Sequence, residues 1–184
     1  MDTRIVERAK SGDREAFDKL AREAMPKMRG FLWRMIGHPE DCEDIVQTAL
    51  AKAWKAIDWF DGKSAFSTWL VAIASRAAID FLRSQSRWRT ESQVAYANLC
   101  AESEEWQHIA YCFVCIGRSL PPDEQAALVL RDVMEFSNRE AANVLGTSES
   151  VLRHRLSAAR QAMQGRYEGL CALVSKTGIC HQCT

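Results

Sequence analysis

Ser137-Asn138-Arg139-Glu140-Ala141-Ala142-Asn143-Val144-Leu145-Gly146-Thr147-Ser148 is the stretch from which the architecture can be read. It predicts a short helix ended by Gly146, because glycine adopts the left-handed conformation that follows a helix. Thr147 or Ser148 then stands where a hydroxyl caps the next helix. That second helix is expected to bury Val151, Leu152, Leu156, Ala159 and Met163 while presenting Arg153, His154, Arg155, Ser157 and Arg160. The small side chains of Ala141 and Ala142 let the two helices approach closely. Together these features describe a helix-turn-helix, whose second helix enters the DNA major groove. Ser148, Ser150, Arg153 and His154 are candidates for phosphates or base edges. Arg155 and Arg160 are candidates for phosphate contacts or intramolecular pairs. An ordinary antiparallel helix pair with a solvated basic face shares parts of this pattern. The coincidence of cap, glycine, small-residue turn and basic helix favours DNA.

Outward from this motif, apolar residues recur at helical spacing, with no convincing period-2 strand. One stripe runs from Ala16 and Phe17 to Met35 and Ile36 and is broken at Gly37-His38-Pro39; a second runs from Cys42 to Ile57. A third carries Phe66, Trp69, Leu70, Ile73, Ala74, Ala77 and Phe81. The polar stretch from about 86 to 105 lacks a period, and helical pattern resumes near Ile109, interrupted at Pro121-Pro122. The expected fold class is all-α, two small helical units joined by a linker. No run of 18 apolar residues and no N-terminal apolar leader occur, so no membrane insertion and a cytoplasmic location are expected.

The 184 residues carry 24 Lys plus Arg against 24 Asp plus Glu. As an average, zero net charge argues against a nucleic-acid binder. Divided by segment, it does not. Residues 1–62 sum to −1, 63–90 to +4, 91–140 to −6, 141–170 to +2, and the tail adds Lys176. Two basic patches flank an acidic middle. In the first patch, Arg76, Asp80, Arg83 and Arg87 fall on one face of the third helix. Trp59, Phe60, Phe66 and Trp69 surround the turn Asp61-Gly62-Lys63-Ser64. Aromatics beside arginines suit single-stranded DNA, with rings for unstacked bases and cations for the backbone. Trp69 also fits a purely core role.

These residues resemble a known family. Asp41 through Trp54 (DCEDIVQTALAKAW) is similar to regions 2.1–2.2 of bacterial sigma-70-type initiation factors, and Phe66 through Arg83 to regions 2.3–2.4. Leu120-Pro121-Pro122-Asp123-Glu124-Gln125 and the helix-turn-helix resemble regions 4.1 and 4.2. The order of the motifs, with no large region between them, is that of the extracytoplasmic-function (ECF, group IV) factors. The resemblance implies region 2 over 1–90, an acidic linker over 91–107, region 4 over 108–170 and an added tail over 171–184. It implies a factor that binds core RNA polymerase, through its β′ and β subunits, and promoter DNA, with an anti-sigma factor as a further expected partner. Asp41, Asp44 and Gln47 would dock on the polymerase. Asp61, Lys63, Ser64, Trp69, Arg76, Asp80 and Arg83 would read and melt the −10 element. Ser148, Ser150, Arg153, His154 and Arg155 would read the −35 duplex. His154 departs from the family pattern, so the −35 sequence does not transfer. The competing reading is a helix-turn-helix regulator that binds DNA without polymerase; it leaves the Asp44/Gln47 and Arg76/Asp80/Arg83 stripes unexplained.

Seven cysteines are more than this family core requires. His108, Cys112 and Cys115 fall on one helical face, and Cys180 and Cys183 form a second Cys-x2-Cys pair in the tail. They are candidates for zinc or another thiophilic metal, or for thiol redox chemistry that modulates the factor. Cys112 and Cys115 equally fit small core positions. No cofactor is required by the reading. No enzyme is expected, since the cysteines lack a nearby acid and a Gly-rich scaffold.

Overall fold

The computed structural model describes residues 3–85 and 120–167. Among them every element is helical. Helix α1 (Thr3–Lys10) leads to α2 (Arg14–Ile36), whose N-terminus is capped by Asp13 accepting from the Ala16 amide at 3.1 Å. Helix α2 ends where Gly37 turns left-handed, at φ 73°, and its amide bonds the Trp33 carbonyl at 2.9 Å. Helix α3 (Pro39–Lys55) starts with proline in its first turn, where the missing N–H is no loss. A single 3₁₀ turn (Ile57–Trp59) and the Asp61–Ser64 loop then deliver the chain to α4 (Phe66–Gln85).

The apolar stripes of α2, α3 and α4 meet in one core. Phe31, Leu32 and Met28 of α2 are fully buried against Leu70, Val71 and Ala74 of α4 and Val46 and Ala49 of α3. At one end an aromatic layer forms. Phe17, Phe60 and Phe66 meet edge-on, and the Trp69 ring lies 5.2 Å from Phe60 and 5.4 Å from Phe66. Edge-to-face rings at these spacings add about 0.5–1.5 kcal/mol per pair beyond area burial. The layer clamps the start of α4 and the base of the loop before it.

The second segment contains α5 (Pro122–Leu128), a π-helical turn (Val129–Val133), α6 (Asn138–Val144) and α7 (Glu149–Tyr167). The α6–α7 turn forms as expected from Gly146. Its φ is 61°, its amide reaches the Asn143 carbonyl at 3.1 Å, and Thr147 reaches Ala142 at 2.9 Å, which closes a Schellman motif. Ser148, rather than Thr147, caps α7 by accepting from the Val151 amide at 3.2 Å. Two details differ from the sequence reading. Ser137 is not inside α6 but caps it, in a reciprocal capping box with Glu140. Val151 is not buried: it is 43% exposed, because Leu152, Leu156 and Ala159 take up the inner face of α7, with Met163 only partly buried beside them.

The two segments are not independent in space. Residues of α5, α6 and the π turn belong to the same continuous core as α2 and α4. Gln125 of α5, 2% exposed, donates to the Met35 carbonyl at 3.1 Å and so satisfies one of the open carbonyls at the end of α2. Lys27 of α2 lies over the Phe136 ring at 4.1 Å, and Ser75 of α4 donates to the Val144 carbonyl at 3.4 Å.

Candidate nucleic-acid and polymerase interfaces

Of the three residues expected to dock on polymerase, Asp44 and Gln47 are exposed one turn apart on α3 and Asp41 is half-buried. The opposite side of that helix is pinned by Cys42, Ile45, Val46 and Ala49. Cys42 is a packing residue, and burial pushes its thiol up to about 11, which keeps it protonated and unreactive. The Asp44/Gln47 face is therefore open and held on a rigid helix.

The loop before α4 is ordered by its own charges. Lys63 donates its amide to Asp61 at 3.1 Å and holds its ammonium 2.8 Å from the other carboxylate oxygen. The Lys63 hydrogen bond draws the Asp61 carboxyl below its ordinary pKa, and Asp61 raises that of Lys63. Both are exposed, as is Ser64 next to them. Trp69 is half-buried in the aromatic layer, so its ring packs the protein as well as bordering the loop. Of the four aromatic side chains that the sequence places around this loop, the exposed one is Trp59, at 85%.

The α4 stripe is exposed but not bare. A Cβ placed at Gly146 would lie 3.3 Å from an Arg76 guanidinium nitrogen, so Arg76 reaches the helix-turn-helix turn itself. Arg83 donates to Asp123 of α5 at 2.6 Å and sits 3.8 Å from Asp80. The other oxygen of Asp123 takes Arg155 of α7 at 3.2 Å. One carboxylate thus holds an arginine from each candidate DNA reader. Nothing in the sequence announces this, since the partners are 40 and 32 positions away from Asp123.

On α7, Ser148, Ser150, Val151, Arg153 and His154 are exposed around the first turns. Arg153 is only 3.8 Å from Glu149, a loose pair that leaves its guanidinium available. Arg155 and Arg160 follow the intramolecular reading. Arg155 is turned onto Asp123, and Arg160 makes a two-point pair with Asp132 at 2.6 and 3.1 Å. Among the described residues no cluster of His, Cys, Asp or Glu suits a metal. His108, Cys112, Cys115, Cys180 and Cys183 lie outside the described residues, as do Arg87, the acidic 91–107 stretch and the 171–184 tail. No helix among the described residues is long and apolar enough to cross a membrane.

Residues 20–88 match the family Sigma-70 region 2, and residues 113–163 match Sigma-70, region 4. The chain is 30% identical to the RNA polymerase sigma-H factor of Pseudomonas aeruginosa, over 88% of this chain and 91% of that one. It is also 30% identical to the ECF RNA polymerase sigma-E factor of Escherichia coli, over 92% and 95%. Its fold is similar to that of CnrH in complex with the cytosolic domain of CnrY, with a TM-score of 0.66 at 23% identity over 89% of this chain and 95% of that one. It also resembles the sigma factor RpoE in complex with the anti-sigma factor NepR from Bartonella quintana, with a TM-score of 0.59 at 22% identity over 81% and 94%.

Proposed function

The chain belongs to the extracytoplasmic-function branch of the sigma-70 family, a sigma factor that binds core RNA polymerase and directs promoter-specific initiation, and on that premise we propose how its residues divide the work. Asp44 and Gln47, with Asp41 beside them, dock on the polymerase. The Asp61–Ser64 loop and the Arg76/Asp80/Arg83 stripe take the −10 element as it opens. A base leaves the duplex for the loop and the arginines follow the strand, so that stacking and charge offset the lost pairing. Ser148, Ser150, Arg153 and His154 read the −35 duplex from the major groove, where Val151 offers an apolar surface of the kind that a thymine methyl contacts. The protein acts in the cytoplasm, carries out no chemistry of its own, and is controlled in part by an anti-sigma partner. His108, Cys112, Cys115, Cys180 and Cys183 tune it through zinc or thiol redox state; metal analysis and thiol titration of the purified chain test that part.

The observation that carries this reading is the combination of a rigid, open α3 face with a charge-ordered loop directly ahead of a basic stripe, within a chain that matches sigma region 2. A polymerase-independent regulator has no use for either surface. The reading also has a geometric consequence. Elements about 25 base pairs apart lie roughly 85 Å apart on B-DNA, at about 3.4 Å per pair. Arg83 and Arg155 share one carboxylate, so the two readers must separate before both elements are engaged.

Run-off transcription with core polymerase on a random-sequence promoter pool tests the assignment. The chain should select promoters, and Arg76→Ala should reduce open complexes at least several-fold while core binding stays near wild type. Selection without polymerase, or unaltered melting by the variant, refutes it.

A further inference from the structure

Among the described residues, the carboxylates at the start of α3 are Glu40, Asp41, Glu43 and Asp44, and of these only Glu43 meets an arginine. Acids in a first turn suit the helix N-terminus, which accounts for Glu40 and Asp41. Glu43 is held differently. Arg29 of α2 donates from one nitrogen, Nη2, to both Glu43 oxygens, at 3.0 and 2.9 Å. Its Nε and Nη1 have no partner among the described residues, and both side chains are about half exposed. The fold does not depend on this pair. An exposed ion pair contributes about 0–1 kcal/mol. Helices α2 and α3 are already fixed by the short turn at Gly37-His38 and by the burial of Phe31, Leu32, Val46 and Ala49. The position of the pair is more telling than its strength. Glu43 and Asp44 each lie one turn from Gln47, within about 5–6 Å at Cβ. Arg29 is therefore anchored at the edge of the open α3 face with part of its guanidinium still unused.

We propose that Arg29 is a further polymerase-contacting residue, placed by Glu43 so that its free N–H groups donate to a carboxylate on the core surface beside the Asp44/Gln47 contact. The inference rests on the docking role given to Asp44 and Gln47 above. Glu43 does two things for this contact. It fixes a long side chain before the partner arrives, which lowers the ordering cost of binding. It also leaves Nε and Nη1 uncommitted, and a guanidinium can serve two carboxylates because its donors point along different directions. The docking surface thus extends from α3 onto α2 and carries both signs, an acid at Asp44 and a cation at Arg29. A partner that fits it presents a basic group and an acidic one in matching order. A reversed or shifted arrangement brings like charges together, so the Arg29 contact sets the orientation in which the factor docks as well as adding affinity.

The test titrates the dye-labelled full chain with core polymerase. Arg29→Ala should weaken binding by at least about fivefold, the loss expected of an interface side chain that contributes. Arg29→Lys should recover only part of it, since a single ammonium does not match the fork that bonds Glu43 and a second acceptor. Glu43→Ala breaks the same ion pair but keeps the guanidinium, so it should cost less than Arg29→Ala. That inequality separates the proposal from a purely structural role, in which the two alanine variants lose equally. Equal losses, or unchanged core affinity of Arg29→Ala, overturn it. Asp44→Ala identifies failure of the underlying reading. If Asp44→Ala loses affinity and Arg29→Ala does not, only the Arg29 contact is wrong; if neither loses any, the docking role of the α3 face falls with it. Because the pair is exposed, the thermal midpoint of each variant should stay close to that of wild type, and a large drop for Arg29→Ala would also count against a contact role.

Discussion

Asp123→Asn should loosen the closure between the two segments, and the structure bounds by how much. The carboxylate accepts from Arg83 at 2.6 Å and faces Arg155 at 3.2 Å. Arg83 is more than half exposed, while Arg155 and Asp123 are each about a quarter exposed. Exposed pairs of this kind contribute about 0.2–1 kcal/mol each, and the half-buried Arg155 pair belongs at the upper end. Neutralising Asp123 also leaves two guanidinium groups within about 8 Å of each other, a repulsion of roughly 0.5 kcal/mol in water. Physiological salt screens that to less than half. The total is about 1–2 kcal/mol, or roughly a 5- to 30-fold shift toward separated segments. It does not open the molecule outright, since the buried bonds of Gln125 and the apolar contacts of α6 on α4 persist. Small-angle scattering of the free chain should show a larger radius of gyration for Asp123→Asn. Association with core polymerase should be faster, and raising salt should move wild type in the same direction. A double-mutant cycle with Arg155→Ala should show coupling, because both changes break one pair. An unchanged radius together with an unchanged association rate would refute the reasoning, and would mean that the apolar contacts alone set the closure.

Ser137→Ala removes the hydroxyl half of the α6 capping box, leaving the residue-137 amide to donate to Glu140, and should lower stability by about 0.5–2 kcal/mol, read as a lower thermal midpoint. It should also alter the pH response. Hydrogen bonds from the Ser137 hydroxyl and amide hold the Glu140 carboxyl below its ordinary pKa, so its contribution is present above about pH 4 and lost as pH falls through the lowered folded value. The wild-type midpoint should fall more steeply than the variant's on that acid limb; parallel curves would contradict the role of the box. Val151→Ser should weaken holoenzyme binding to a −35 duplex by about fourfold, the worth of roughly one buried methyl group. Replacing thymine by deoxyuridine in that duplex should have no further effect on the variant, and additive losses would show that Val151 does not meet a thymine methyl.

Most of the helices were legible because their signals are local. The α2–α3 break rests on Gly37 and Pro39, and the α6–α7 turn on Gly146, and each is a backbone requirement that a few neighbouring residues impose. The recognition face of α7 was legible for the same reason, except at Val151. There, apolar character alone does not decide burial, since Leu152 and Leu156 already fill the inner face of α7. Trp69 and Trp59 show the same limit. Both are tryptophans near one loop, and only the eclipsed register of Ile57 and Phe60 decides which one is shown to solvent. The Asp123 bridge was not legible at all, because it depends on where α5 docks against α4 and α7.

That bridge changes what the neutral charge means. In sequence the −6 segment lies between the two basic patches. Two of its carboxylates offset them by contact: Asp123 binds Arg83 and Arg155, and Asp132 binds Arg160. Each occupies on its arginine the position that a phosphate oxygen would need. Duplex binding by the closed chain must therefore displace a carboxylate for each phosphate gained at these arginines, and the exchange brings little net electrostatic gain. Separation of the segments takes Arg83 away from α5 before DNA arrives, and any partner that stabilises the separated form raises DNA affinity without touching DNA. Core polymerase binding the open α3 face while keeping the two readers apart would do this, and the neutrality of the free chain is then the reason it needs that partner.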